Sequence, residues 1–179
     1  MSSDEAIGGV VTAIVRDNKD VTGLGRVSVS FPWHSRPDET FWARVATPLA
    51  GKAHGLSFIP EVDDEVLVAF DRGDLRFPFV VGSLWNSVDR PPAANAGGGS
   101  AVQLRMPDGK RLTLDRSGIA LDDAHGNQIS IEAGTGRITI QAATSITLKA
   151  PHIAIESSGG LELKSSGTVT LKGSLVNIN

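Results

Sequence analysis

The most regular feature of the chain is a short apolar–polar–apolar triplet that recurs through its C-terminal part. From Arg137 onward it reads Ile138-Thr139-Ile140, Ile146-Thr147-Leu148, Ile153-Ala154-Ile155, Leu161-Glu162-Leu163, Val169-Thr170-Leu171 and Val176-Asn177-Ile178, and the first residues step by 8, 7, 8, 8 and 7. Period-two alternation marks a strand, so each triplet sends two apolar side chains to one face and its middle residue to the other. Gly, Ser, Ala, Lys and Pro fill the intervals, as corner residues do. Looser forerunners are Leu112-Thr113-Leu114, Ile119-Ala120-Leu121 and Ile129-Ser130-Ile131. The pattern is an internal repeat, and it sets the fold expected of this half.

A repeat of seven or eight residues supplies one short strand and one corner. A single chain needs about twenty residues or more per coil to enclose a core of its own. Three chains wound round a shared axis remove the shortfall, each giving one side of a triangular prism. The repeat therefore predicts a homotrimer, a triple-stranded β-helix in which every strand bonds to strands of other chains. Its core would be Ile138, Ile140, Ile146, Leu148, Ile153, Ile155, Leu161, Leu163, Val169, Leu171, Val176 and Ile178. A lone chain would expose these residues as a continuous apolar stripe. At about 5 Å per strand the six regular repeats make a shaft on the order of 30 Å.

The first half has another grammar. Short β-type runs at Val10–Val15, Arg26–Phe31, Phe41–Ala46, Glu65–Phe70 and Phe77–Val81 are separated by glycine- and proline-containing turns. Five short strands suit a small closed barrel of the oligonucleotide/oligosaccharide-binding (OB) type, which leaves few open edges. All three Trp and all six Phe precede Asp89, and none follows. Between the halves, Pro91-Pro92 and Gly97-Gly98-Gly99-Ser100 read as a linker. The expected organisation is an N-terminal tail 1–9, an OB barrel 10–88, a linker 89–101 and a trimeric β-helix needle 102–179, an all-β chain throughout.

Composition narrows the functional classes. A net charge of −3 leaves no basic excess for phosphate backbones, so nucleic acid is not an expected partner. With no cysteine there is no disulfide framework and no thiolate nucleophile or ligand. Asp4 and Glu5 stand where a signal peptide carries cations, and no apolar run reaches the length of a membrane helix.

Several motifs in the barrel then match a known family. Gly25-Arg26-Val27-Ser28-Val29-Ser30-Phe31-Pro32-Trp33, Phe41-Trp42-Ala43-Arg44-Val45-Ala46, the run Gly55 to Phe70, Gly73-Asp74 and Pro78 to Asn86, in this order, resemble the OB barrel of the VgrG and phage baseplate protein V family. The C-terminal repeat, closing on Val-Asn-Ile-Asn, is similar to the β-helix of the same proteins. The resemblance implies a structural, non-enzymatic central spike of a contractile injection system or phage tail. It implies a hub protein above the barrel and a needle aimed at the target membrane. It also implies assembly in the bacterial cytoplasm and action at the target envelope. VgrG proteins begin with a large hub-like region, whereas here the barrel starts at once, so a separate hub protein is expected. The pattern also lacks the His-X-His iron site of some spike apices. A separate PAAR-type tip protein docked on Val176, Asn177, Ile178 and Asn179 is the corresponding expectation.

Other signals read more simply. Gly23-Leu24-Gly25 lacks the third glycine and following helix of a dinucleotide loop, and reads as a tight turn. Asp63, Asp64, Glu65, Asp71 and Asp74 lack calcium-loop spacing and flank a strand as solvated turns. His34, His54, His125 and His152 form no zinc pair, and no Gly-X-Ser-X-Gly elbow supports a hydrolase. No catalytic residue, metal or cofactor is expected. The competing reading is a glycan- or single-strand-binding OB module on a trimeric stalk, with Trp33, Phe41, Trp42 and Phe58 as stacking platforms; packing within the barrel or between subunits accounts for them with less.

Overall fold

The computed structural model describes residues 7–92 and 101–178; residues 1–6 and 93–100, which include most of the expected tail and linker, and Asn179 of the expected tip contact lie outside the described residues. Apart from one 3-10 turn at Asp71–Gly73, all regular structure among the described residues is β.

Five strands, β1 (Val10–Asp17), β2 (Arg26–Ser30), β3 (Thr40–Val45), β6 (Glu65–Phe70) and β7 (Pro78–Ser83), close into a barrel in the order β1-β2-β3-β7-β6. Four pairings are antiparallel; β3 and β7 are parallel, which closes the barrel in the OB manner. The connection from β3 to β6 carries a small hairpin, β4 (Ala50–Gly51) and β5 (His54–Gly55).

Alternate residues point inward. Ala13 and Val15, Val27, Val29 and Phe31, Ala43, Val66 and Val68, and Val80 are all buried and touch as one core. Register irregularities at Val15/Asp17 and Leu67/Val68 supply the local bending that a five-stranded barrel needs. Phe31 anchors an aromatic cluster, with ring centroids 5.5 Å from Trp33, 5.7 Å from Phe41 and 5.4 Å from Phe70.

The barrel has two distinct poles. Ile7 N–H donates to the Gly73 carbonyl, so the N-terminal segment enters beside the β6–β7 turn, at the pole that also holds the β2–β3 loop. Asn18 Nδ2 donates to the Pro60 carbonyl and Leu84 N–H to that of Glu65. The β1–β2 loop, the β3–β6 connection and the chain's exit toward the C-terminal half therefore share the opposite pole.

The C-terminal half opens with a five-stranded antiparallel meander: β8 (Val102–Arg105), β9 (Arg111–Asp115), β10 (Gly118–Asp122), β11 (Gln128–Glu132) and β12 (Ile138–Gln141), in the order β12-β11-β10-β9-β8. Here the structure differs from the expected bonding of every strand to other chains, because these five pair within one chain. Turn chemistry explains it. Gly109 follows Asp108 with φ of 91°, and Gly118 adopts φ of 145° after Asp115 has accepted bonds from the Ser117 and Gly118 amides. Ala124, Gly126 and Gly136 also have positive φ. Such residues allow tight reversals that bring the chain back beside itself. Asp123 caps its turn by accepting from the Asn127 side chain and from the His125 and Asn127 amides, which hold its pKa down at about 2. Beyond Gln141 the described chain forms no strand, and no backbone–backbone hydrogen bond falls within 142–178.

Candidate assembly surface

The register of the meander aligns its apolar residues into two columns on one face. Val102, Leu114, Ile119, Ile131 and Ile138 sit opposite one another from strand to strand, and so do Leu104, Leu112, Leu121, Ile129 and Ile140. Between them, on the other face, runs a single row of Gln103, Thr113, Ala120, Ser130 and Thr139. Gln103 Nε2 donates to Thr113 Oγ1 at 3.2 Å within that row. Arg111 and Asp122, cross-strand partners on the row's face, form an ion pair at 3.3 Å.

The burial is inverted relative to an ordinary half-buried sheet. The polar row is half-buried, while every column residue except Leu112 is exposed, Ile119 at 44% and Ile138 at 66%. Column residues of adjacent strands lie opposite one another and leave an apolar face uncovered. Isolated exposed apolar side chains are common, but a contiguous face of this kind marks an interaction site.

The same chemistry continues past the meander. Ile146, Leu148, Ile153, Ile155, Leu161, Leu163, Val169, Leu171, Val176 and Ile178 are all exposed, from 48% at Ile153 to 86% at Ile178. Of the residues expected from the repeat to form a core, Ile138 and Ile140 end the two columns on β12, and the other ten lie on the unpaired segment. Eight column residues from Val102 to Ile131 were absent from that expected core. Their signal was present as the triplets starting at Leu112, Ile119 and Ile129, and Val102-Gln103-Leu104 carries it too.

The barrel's polar residues are committed to local structure. Asp20, with its side chain only 3% exposed, accepts from the Thr22, Leu24 and Arg26 amides, from Thr22 Oγ1 at 2.7 Å and from Arg26 Nε at 3.0 Å and Nη2 at 3.1 Å. These donors, the Arg26 guanidinium first, hold its carboxyl far below the usual carboxylate range and raise the pKa of Arg26 in turn. Gly23 and Gly25, at φ of 69° and 68°, complete the turn that was read from Gly23-Leu24-Gly25.

The aromatic residues divide. Phe41 packs on the core, Trp33 contacts Phe31 with the two rings tilted by 45°, and Trp42 lies under the Arg26 guanidinium at 5.5 Å. Phe58 remains 54% exposed beside Ile59 and Trp85 at the exit pole. Asp63 pairs with Arg16, Asp64 accepts from the Glu61 amide, and Asp74 is held at about 2 by the Arg76 side chain and amide. Among the described residues, no three His, Asp or Glu groups gather as metal ligands.

Comparison with known proteins agrees with the barrel's topology. Residues 11–85 match the type VI secretion system/phage-baseplate injector OB domain. The type VI secretion system spike protein VgrG2a of Pseudomonas aeruginosa is 32% identical over 133 residues, which are 72% of this chain and 14% of that protein. VgrG3 of Vibrio cholerae, another spike protein of this system, is 32% identical over 125 residues, 66% of this chain and 11% of its own length. The actin cross-linking toxin VgrG1 of Vibrio cholerae is 33% identical over 117 residues, 63% of this chain and 10% of the toxin. The chain thus spans about a seventh or less of the relatives it matches. With its closed OB barrel and these relatives, the chain carries, over residues 11–85, the OB domain of the VgrG and phage-baseplate spike family.

Proposed function

We propose that this protein is a structural central spike of a contractile injection system or phage tail, acting as a homotrimer and performing no catalysis. The observation that carries this is the continuous apolar surface of the C-terminal half. Two uncovered columns on the meander lead into a segment, 142–178, that exposes an apolar pair in every repeat and has no strand partner in its own chain. Unpaired backbone and uncovered apolar surface are both costly, and one arrangement satisfies both. Three copies around a common axis bury the columns against each other and supply the missing strand neighbours. In the resulting shaft, residues 102–179 below barrel 10–88 and linker 89–101, three self-paired meanders stand side by side up to Gln141 and the chains form a triple-stranded β-helix beyond it. It transmits axial force, because opening it anywhere separates three chains at once.

The two poles of the barrel divide the partners. The exit pole leads to the shaft, which points to the target membrane. The opposite pole offers half-exposed Trp33 and exposed Phe77 to a hub protein. At the distal part of the shaft, the exposed apolar pair Val176 and Ile178, with Asn177 and Asn179, forms the seat of a PAAR-type tip protein. The spike assembles in the bacterial cytoplasm and acts at the target envelope. A stacking platform for glycans or single strands is a weaker use of the barrel, since Arg26, the cation over Trp42, is already bound by Asp20.

Electron microscopy of the purified protein tests the proposal. The expected particle is a wider head on a narrow rod, with threefold symmetry in end-on averages. Compact particles without a rod would contradict it.

A further inference from the structure

A cavity of about 390 Å³ opens at the exit pole of the barrel. Phe58, Ile59 and Trp85, all exposed, line its apolar side, and three carboxylates, Asp64, Glu65 and Asp89, line the rest. Arg105 of β8 also reaches it, yet neither Arg105 nor any other described cation forms an ion pair with these three acids. Neighbouring acids at the same pole do have partners: Asp63 pairs with Arg16, and Glu61 accepts from Asn18 Nδ2 at 3.1 Å. Asn86 sets the arrangement. Its N–H donates to the Asp89 carbonyl and its Oδ1 accepts from the Val88 and Asp89 amides, which closes the turn 86–89 on itself. Its Nδ2 donates to Glu65 Oε2 at 3.0 Å and to Asp89 Oδ2 at 3.4 Å. One amide group therefore holds two like charges side by side. Glu65 Oε1 and Asp89 Oδ1 take part in no hydrogen bond among the described residues. Like charges this close favour a cation between them.

We propose that this cavity receives the arginine side chain of a partner polypeptide. The guanidinium donates to the free oxygens of Glu65 and Asp89 and lies on the Trp85 ring, while the alkyl stem runs along Phe58 and Ile59. A planar group with five donors can bond two carboxylates and stack on an indole at once, which the compact ammonium of lysine does not. Charge complementarity selects the occupant, since three acids against one arginine disfavour an anion. Size agrees, because ligand cavities run from about 300 to 1,000 Å³ and this one, at the small end, suits a single long side chain. The inference goes beyond the spike reading and does not depend on it, because the acids and rings it uses all belong to the barrel and the turn that follows it.

The chain has three tryptophans, Trp33, Trp42 and Trp85, so the indole N–H signals of a proton–nitrogen NMR spectrum of the full chain report on the cavity, with W85F identifying its signal. The probe is an acetylated Ala-Arg-Ala amide. Titration is expected to move the Trp85 signal to saturation and leave those of Trp33 and Trp42 in place. The same peptide with citrulline, which keeps the shape and removes the charge, should move none of them. D89N should weaken binding of the arginine peptide about tenfold or more, with unmoved Trp33 and Trp42 signals showing that the barrel stays folded. A Trp85 signal that ignores millimolar arginine peptide would overturn the proposal, whether the cavity is then empty or filled by a second copy of the chain. Equal responses to the arginine and citrulline peptides would overturn it too. So would tighter binding of free arginine amide than of the peptide, which would make this a small-cation site.

Discussion

Asp20 shows how much of this barrel's local order depends on single side chains. Its carboxylate gathers three amides, a hydroxyl and the Arg26 guanidinium, and so fixes a loop on which Val21 and Leu24 stand almost free in solvent, at 97% and 73% exposure. Because its folded pKa lies below the unfolded value, its contribution to stability is fully present above the unfolded carboxylate pKa, about 4, and is lost as pH falls through the folded value. Asp20→Asn should therefore melt below the wild type at pH 7, and the gap should narrow as the pH is taken below about 4. A gap that stays constant down to pH 2 would contradict the assignment. Gly118 is a second such residue. A Cβ there would stand 1.8 Å from the Ile131 carbonyl oxygen, with φ already at 145°. Gly118→Ala is expected to break the β10–β11 pairing and destabilise the meander by more than about 1 kcal/mol, read as lost amide protection in β10 and β11.

At the scale of elements, the barrel and the meander respond to different substitutions. Phe31 is fully buried at the centre of the aromatic cluster, so Phe31→Ala should destabilise the barrel by about 3–5 kcal/mol in urea unfolding followed by Trp fluorescence. All three tryptophans lie in the first half, so that signal reports the barrel. The same elements show what sequence alone conveys. Alternation located the five barrel strands, with Glu65–Phe70 unchanged and the second strand one residue shorter than expected. The β4–β5 hairpin, two residues on each side, is too short to carry a period. In the C-terminal half, the triplets located the apolar positions but not the partner of each strand. That information lies in the turns. Asp108-Gly109 and His125-Gly126-Asn127 return the chain to pair with itself, whereas no described strand follows Ala142-Ala143-Thr144-Ser145, and triplet spacing alone treats these connections alike. The extent of the apolar surface back to Val102 was hidden for the same reason, since it depends on register between strands.

For the whole molecule, trimer formation is the condition for an ordered C-terminal segment. Ile153→Asp with Ile155→Asp places carboxylates on the shared axis, where desolvation costs several kcal/mol per charge. That variant should lose trimer mass while keeping the barrel's Trp spectrum. A variant that stays trimeric with an unchanged melting point would place those residues outside the core. The most direct test of the central claim is the solution mass of the intact, cysteine-free chain by light scattering without denaturant. The account predicts about three times the 18.8 kDa of one protomer, independent of dilution over the micromolar range. A stable, soluble species at the protomer mass would contradict it, because residues 142–178 would then have to satisfy their backbone and cover their apolar pairs alone.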